Sequence, residues 1–275
     1  MADLRIFSYL PNPRVWKATI AARFCDVEIE VRGAPGKELR NWLWDYDARP
    51  LSEEEQSAFS SFARTGRVGM TGVRLLKSDA FLEAQPFGNV PAAFSPGGQI
   101  GIFESNSIIR VVARLGEKRF PLYGRGAYEA SRIDSFLDAS LIFARDTQIY
   151  LLSLLDGTVN EAIHARAKGA FAIYADGIEC ALSPRRSSLV GDDITLADIC
   201  FVTELVLFMN EHQRVQQLND RGLSKILRQN VQADYPRMTA HFARLTEHPN
   251  FKPDLELYLR KLSAAAGGAS VAACR

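Results

Sequence analysis

Residues 87–115 read FGNVPAAFSPGGQIGIFESNSIIRVVARL, and this stretch decides the fold. Residues 87–94 and 99–103 are largely apolar and flank a Ser-Pro-Gly-Gly turn, a pattern that predicts a β-hairpin. Pro91 stands where the first strand begins, and it lacks the N–H that a central strand would need. We therefore expect an edge or turn position there, where a cis peptide bond can occur.

An apolar helix is predicted directly after the hairpin. The segment Glu104-Ser105-Asn106 comes before apolar residues at helical spacing, which are Ile108, Ile109, Val112 and Leu115. The N-terminus of such a helix offers backbone N–H groups and the hydroxyl of Ser105, which together suit a carboxylate. The plain alternative is a structural hairpin followed by a helix that Ser105 caps.

A strand–helix–strand unit is predicted at the start of the chain. Residues 4–10 read as a strand, residues 14–24 place apolar side chains on one helical face, and residues 26–31 form a second strand. A helix that connects two neighbouring strands in this way requires a parallel pair. With the hairpin and its helix the order becomes βαβ followed by ββα, which several small α/β folds share.

The pairing of Asn-Val-Pro-Ala with Phe-Glu-Ser-Asn about a dozen residues later resembles the glutathione-binding half of cytosolic glutathione S-transferases, and most of all the transferase-like domain of the elongation factor 1B gamma subunit. The resemblance implies an α/β, thioredoxin-like N-terminal domain followed by an all-α, helical C-terminal domain. It also implies glutathione as co-substrate. The backbone of Val90 before Pro91 would pair with the cysteinyl part, and Glu104 and Ser105 would hold the γ-glutamyl group. Asn89 is a further candidate for glutathione binding.

The resemblance places the group that activates the glutathione sulfur in the turn after the first strand. A free thiol has a pKa of ~8.5, and a donor at the positive end of a helix favours the thiolate. The candidates are Asn12, Tyr9 and Ser8. Asn12 matches an Asn that similar transferases carry, but it equally fits an ordinary helix N-cap. Tyr9 also fits a half-buried aromatic residue at the strand end, and Ser8 lies earlier than the usual catalytic serine.

An insertion at residues 33–73 departs from this family pattern, which needs only a short link there. Its Trp42 and Trp44 argue for packing, and Ser52 with Glu55 three residues on predicts a capping box at a helix start. We expect an ordered flap with one or two short helices.

The insertion suggests a role near the predicted glutathione site. One hypothesis is that Trp42 and Trp44, with Phe136 from the helical domain, line a pocket for a hydrophobic second substrate. The alternative, slightly favoured, is that the insertion buttresses the domain or binds a partner.

The remainder of the chain is predicted to be helical. The first domain would span residues 1–115, with a Gly- and Pro-containing linker at 116–126, an all-helical substrate domain at 127–262, and a disordered Ala/Gly-rich tail at 263–275. Thr195 and Asp198 are three apart before an apolar run, which predicts a structural capping box. The resemblance gives the same Thr-x-x-Asp pattern a role in folding.

Composition narrows the possible partners and compartment. The 275 residues carry 33 Lys and Arg against 32 Asp and Glu, a net charge of +1, which favours neither nucleic acid nor an anionic membrane as a partner. Neither a secretory signal nor an apolar stretch of about 18 residues is present. The four cysteines and four histidines are scattered, so no metal site is expected, and a reduced cytoplasmic protein is predicted.

Two functions follow from the resemblance. The first is a glutathione S-transferase whose activated thiolate attacks a small aromatic or hydrophobic electrophile, including by ether cleavage or dehalogenation, in detoxification or the catabolism of aromatic compounds. The second is a non-catalytic, transferase-like protein-interaction domain similar to that of elongation factor 1B gamma. Either would form a homodimer, or a heterodimer with a paralogue.

Overall fold

The computed structural model describes residues 2–67, 69–182, 186–228 and 230–265. The chain divides into two compact units, Met1–Phe120 and Pro121–Arg275, and this boundary falls inside the range 116–126 that was predicted to be a linker. The first unit mixes strands and helices, whereas the described part of the second unit is helical. The predicted order of an α/β domain followed by an all-α domain is confirmed.

The first unit contains all the strands among the described residues. The strands are β1 (Leu4–Tyr9), β2 (Ile29–Ala34), β3 (Trp42–Trp44), β4 (Arg49–Pro50), β5 (Ala63–Thr65), β6 (Arg74–Lys77), β7 (Ala92–Phe94) and β8 (Gly101–Phe103). Its α-helices are α1 (Pro13–Cys25), α2 (Glu53–Ala58), α3 (Asp79–Ala84) and α4 (Ser105–Leu115).

The main sheet of the first unit has the strand order β2-β1-β7-β8. β1 and β2 are parallel, from Leu4 opposite Ile29 to Tyr9 opposite Ala34, whereas β7 runs antiparallel to both β1 and β8. The predicted parallel pair and the predicted hairpin are both confirmed. The second strand begins at Ile29 rather than at residue 26, because Asp26 ends α1 in a left-handed conformation with a φ of 55°.

Strands β3, β4 and β5 of the insertion form a second sheet with β6, which follows the insertion directly; the strand order is β4-β3-β6-β5, where a flap with short helices was expected. The insertion does contain one α-helix, α2, which begins with the predicted capping box between Ser52 and Glu55, and two short 3-10 turns. The expectation missed the strands because each has only two to four residues, too few for alternation to be visible.

Aromatic side chains of the insertion complete the core of the first unit. The Trp44 ring lies 5.4 Å from the Phe7 ring and 5.8 Å from the Phe81 ring, edge to face in both cases. Trp44 is 2% exposed, and its indole N–H donates to the carbonyl of Leu39 at 3.0 Å. The insertion therefore packs as part of the unit, consistent with the buttress alternative.

A second attachment joins the insertion to the β7–β8 turn. The hydroxyl of Tyr46 accepts a hydrogen bond from the N–H of Gly97 at 3.1 Å, and the guanidinium of Arg5 lies 4.0 Å from the Tyr46 ring centre. A Cβ on Gly98 would come within 2.7 Å of that ring. Gly98 also has a φ of 77°, so glycine is required on both counts.

The helices of the second unit are α5 (Ala127–Asp156), α6 (Glu161–Ala181), α7 (Leu196–Phe208), α8 (Val215–Asn219), α9 (Val231–Asp234), α10 (Pro236–Thr246) and α11 (Lys252–Ala265). The capping box predicted for Thr195 and Asp198 is present at the start of α7. Residues 263–265, predicted to belong to a disordered tail, continue α11, and residues 266–275 lie outside the described residues.

Candidate functional site

The predicted binding residues meet at one edge of the main sheet. Phe7 pairs with Ala92 across β1 and β7, and Ala92 pairs with Phe103 across β7 and β8. One residue further along each strand, this register brings Ser8, Pro91 and Glu104 to the same edge. Two helix N-termini follow directly, because α1 begins just after β1 and α4 just after β8. The fold thus unites segments about 90 residues apart in the sequence.

The loop before β7 presents backbone groups at this edge. The peptide bond between Val90 and Pro91 is cis, and Val90 is half-buried. Within the described ranges, no other residue hydrogen-bonds the N–H or C=O of Val90. Both groups are therefore open to main-chain pairing with an extended ligand.

Two side chains hold that loop in place. The ammonium of Lys77 donates to the carbonyl of Gly88 at 2.5 Å, and the amide of Gln85 donates to the side-chain oxygen of Asn89 at 2.7 Å. Burial lowers the pKa of Lys77, and nearby Arg67 and Arg64 lower it further. Asn89, predicted to bind the ligand, is exposed with its amide oxygen already engaged.

Glu104 connects β8 to α4 in an unusual backbone conformation. Its φ of 65° and ψ of 122° lie outside the regions that non-glycine residues favour. Such an outlier costs ~1–3 kcal/mol and is commonly found at ligand sites. The side chain of Glu104 is exposed and does not cap the helix.

Ser105 is the first residue of α4 and is 5% exposed. Its hydroxyl oxygen accepts a hydrogen bond at 3.2 Å from the ammonium of Lys17 in α1, which also donates to the side-chain oxygen of Asn106 at 2.8 Å. Lys17 is completely buried. Neither Lys17 nor Asn106 was among the predicted site residues. The available signal was a lysine within the apolar pattern of residues 14–24.

The three candidates for thiol activation lie at the end of β1. Asn12 caps α1, since its side-chain oxygen accepts from the N–H of Arg14 at 2.9 Å, and its amide donates to the Ser8 hydroxyl at 3.0 Å. Ser8 and Asn12 are both completely buried. Tyr9 is half-buried and packs against the aromatic core. The helix-cap interpretation of Asn12 therefore has direct geometric support.

The residues suggested for a second-substrate pocket have different surroundings. Trp44 is enclosed in the core, whereas Trp42 is half-buried with its ring centre 6.1 Å from that of Phe7. Phe136 belongs to the second unit, where the guanidinium of Arg132 lies 5.0 Å from its ring centre.

Among the described residues, no three His, Cys, Asp or Glu side chains are grouped so that they could hold a metal ion. No described helix combines the length and apolar character needed to cross a membrane.

Sequence comparison finds relatives of two kinds. Elongation factor 1-gamma 1 of Oryza sativa subsp. japonica is 28% identical over 177 residues, which cover 64% of this chain and 38% of that protein. The glutathione S-transferase-like protein FUS3 of Gibberella moniliformis is 24% identical over 253 residues, 90% of each chain. This chain thus spans well under half the length of its elongation factor relatives. No protein-family model matches it.

Structural comparison identifies the fold as that of glutathione transferases. Poplar glutathione transferase F1 superposes with a TM-score of 0.61 at 18% identity, covering 94% of this chain and all of that one. The transferase URE2P8 of Phanerochaete chrysosporium, solved with oxidised glutathione, gives a TM-score of 0.61 at 17% identity, covering 96% of this chain and 98% of that one. These findings confirm the predicted fold and the predicted resemblance to glutathione transferases and elongation factor 1-gamma.

Proposed function

We propose that this protein binds glutathione at the edge formed by β1, β7 and β8, and that it is a glutathione S-transferase acting on a small hydrophobic or aromatic electrophile. The observation that carries the proposal is the meeting of two complementary groups at one edge. Val90 offers an open backbone N–H and C=O, and Ser105 offers a hydroxyl at the positive end of an 11-residue helix. An extended peptide with a carboxylate at one end matches that pair.

The chemistry would take place beside the N-terminus of α1. There the helix dipole and the hydrogen-bonded pair Ser8 and Asn12 favour negative charge on a sulfur atom. The thiol releases its proton to water, the sulfur forms a bond to the electrophilic carbon, and the leaving group departs with the bonding electrons. Holding the thiolate next to the electrophile accelerates such a displacement. Halides and aryl oxides are suitable leaving groups.

A specific observation supports a second candidate, a non-catalytic interaction domain. The amide of Asn12 is engaged with Ser8 and its oxygen caps α1, so the best-placed activator already has a structural role. The similarity to elongation factor 1-gamma points the same way. On either proposal the protein forms a dimer with itself or a paralogue in the cytoplasm, and light scattering would test the assembly.

Calorimetric titration with glutathione tests the binding proposal. We expect wild-type protein to bind and Ser105→Ala to lose most of the affinity, because the hydroxyl at the helix end is removed. Ser107→Ala is the control, as it makes the same change two positions later in α4. No binding by the wild type would overturn the proposal.

A turnover assay then separates the two functions. Binding together with conjugation of a chlorinated aromatic or an aryl ether would support the transferase. Binding without turnover of either class would favour the interaction domain.

A further inference from the structure

We propose that Lys77 is a positioning residue of the glutathione site, which fixes the loop before β7 so that the backbone of Val90 selects the cysteinyl amide of the ligand. This inference rests on the proposed function and adds to it a determinant of ligand specificity. It is carried by the buried ammonium of Lys77, whose single hydrogen-bond acceptor among the described residues is the carbonyl of Gly88, at 2.5 Å.

The base of the Lys77 side chain is fixed by the second sheet. Lys77 lies in β6 opposite Trp44 of β3, and the N–H of the next residue, Ser78, donates to the carbonyl of Trp44 at 3.1 Å. The ammonium lies 4.9 Å from the centre of the Trp44 ring, a cation–π contact. Lys77 thus reaches the loop from a rigid support, and its donor is preorganised before a ligand arrives.

The ammonium of Lys77 is in an environment that disfavours a positive charge. It is 5% exposed, and no carboxylate of the described ranges forms an ion pair with it. Burial, together with the positive charges of Arg67 and Arg64, lowers its pKa. An apolar side chain would avoid this cost but could not hold the Gly88 carbonyl, so the hydrogen bond is what the lysine contributes.

Two fixed points define the conformation of the loop. At one end Gly88 is buried, its N–H donates to the carbonyl of Gln85 at 2.9 Å, and its carbonyl is held by Lys77. At the other end Ala92 is paired with both β1 and β8. The three residues between these points include a proline, whose φ is fixed and which restricts the preceding residue to extended conformations. The orientation of the Val90 N–H and C=O therefore depends on the Lys77 contact.

A fixed Val90 backbone discriminates between ligands. An extended peptide whose N–H and C=O match both groups binds without reordering the loop, whereas a peptide that lacks the N–H displaces water from the Val90 carbonyl without replacing its hydrogen bond. A loop that moves freely can turn away from such a ligand, and the discrimination is lost. The same freedom must be given up when glutathione binds, which lowers the affinity.

The test measures how Lys77 and the cysteinyl N–H act together. The two ligands are glutathione and its N-methylcysteinyl analogue, which has a methyl group in place of that hydrogen, and calorimetry gives both dissociation constants. We expect the wild-type protein to prefer glutathione by about 10- to 100-fold, because the analogue loses a hydrogen bond and adds a steric clash. Lys77→Met, which has a similar length and no donor, should bind glutathione about 10-fold more weakly and reduce the preference to a few-fold. Lys77→Arg keeps a donor and should retain most of the preference.

The control is Lys118→Met, which makes the same change at an exposed position of the first unit and should leave both dissociation constants unchanged. A second variant keeps the test valid if Lys77→Met does not fold. Gly88→Ala would place its Cβ 3.2 Å from the ammonium of Lys77 at a φ of 62°, which shifts the carbonyl away from its donor. It should lower the preference for glutathione in the same way.

Three results would overturn the inference. Equal weakening of both ligands by Lys77→Met would mean that Lys77 only stabilises the first unit. An unchanged preference in Lys77→Met or in Gly88→Ala would mean that the contact does not orient Val90. A wild-type protein that binds both ligands equally would mean that the Val90 backbone does not recognise the cysteinyl amide. Binding of neither ligand by the wild type would remove the proposed function itself, and the inference with it.

Discussion

Asp198→Asn should strongly destabilise the helical unit, although the two side chains have nearly the same shape. Asp198 is completely buried at the start of α7. One carboxylate oxygen accepts from the N–H of Leu189 at 3.0 Å and from His241 at 2.8 Å. The other accepts from the N–H and the hydroxyl of Thr195 at 2.8 and 2.9 Å. The carboxylate thus links the helix start to the preceding loop and to α10.

The expected loss of stability follows from counting the hydrogen-bond donors to the Asp198 carboxylate. An asparagine has one oxygen, so its NH2 group must face either Thr195 or the pair Leu189 and His241. At least one backbone N–H then loses its partner in the interior, which costs ~1–3 kcal/mol. The remaining bonds change from charge-assisted to neutral, for a further ~1 kcal/mol each. We expect a loss of ~3–5 kcal/mol, or roughly 10 °C in melting temperature for a unit of this size.

The two units can be observed separately. All three tryptophans, Trp16, Trp42 and Trp44, lie in the first unit, so their fluorescence reports on it. Far-UV circular dichroism is dominated by the long helices of the second unit. Asp198→Asn should lower the melting transition seen by dichroism.

A matched control isolates the effect of burial. Asp192→Asn makes the same chemical change at an exposed position of the preceding loop, and it should leave the melting temperature within ~2 °C of the wild type. If Asp198→Asn melts like Asp192→Asn, the reasoning about the buried carboxylate is refuted.

Three other predictions concern the first unit. Glu104→Gly should be at least as stable as Glu104→Ala, because glycine adopts a φ of 65° at ~1 kcal/mol less cost. Both variants should bind glutathione more weakly than the wild type. A lower melting temperature for Glu104→Gly than for Glu104→Ala would contradict the stability argument. Gly33→Ala should disrupt the β1–β2 pair, because its Cβ would lie 1.8 Å from the carbonyl oxygen of Ser8. The control is Gly177→Ala, whose Cβ would lie in open space on α6, and it should increase the free energy of unfolding by up to ~1 kcal/mol. Equal urea midpoints for Gly33→Ala and Gly177→Ala would refute the argument. Burial raises the pKa of the Cys25 thiol to about 11, so its alkylation should be slow at neutral pH and should accelerate about tenfold per pH unit up to that pKa. Exposed Cys180 should be alkylated before Cys25. Peptide mass spectrometry measures both alkylation rates, and comparable rates would contradict the raised pKa of Cys25.

Local features were predictable because their determinants lie within a few residues of each other. The capping boxes at Ser52 and Thr195 depend on a side chain three positions on, and both are present. The hairpin turn depends on the local sequence Pro96-Gly97-Gly98, where both glycines have positive φ values. The parallel β1–β2 pair follows from the handedness and length of a single connection.

Features that depend on distant partners could not be predicted in this way. The strands of the insertion are too short to show periodicity, and β3 finds its partner β6 more than 30 residues later. For Trp44 the sequence left two alternatives open, a pocket for a second substrate and a packing role, and its ring contacts with Phe7 and Phe81 show that it packs in the core. Lys17 was not among the predicted site residues, and its hydrogen bond to Ser105 joins positions 88 residues apart in the sequence.

The amino-acid sequence by itself determined the order of the elements, an α/β half followed by a helical half, and the hairpin that leads into α4. It could do so because turns, caps and amphipathic periodicity are set by neighbouring residues. Only the tertiary structure decided that the loop before β7 and the start of α4 lie at one edge of the main sheet, and that Trp44 of the insertion packs into the core of the first unit. The physical reason is that burial and hydrogen-bond geometry depend on which distant segments pack together, which no local pattern encodes.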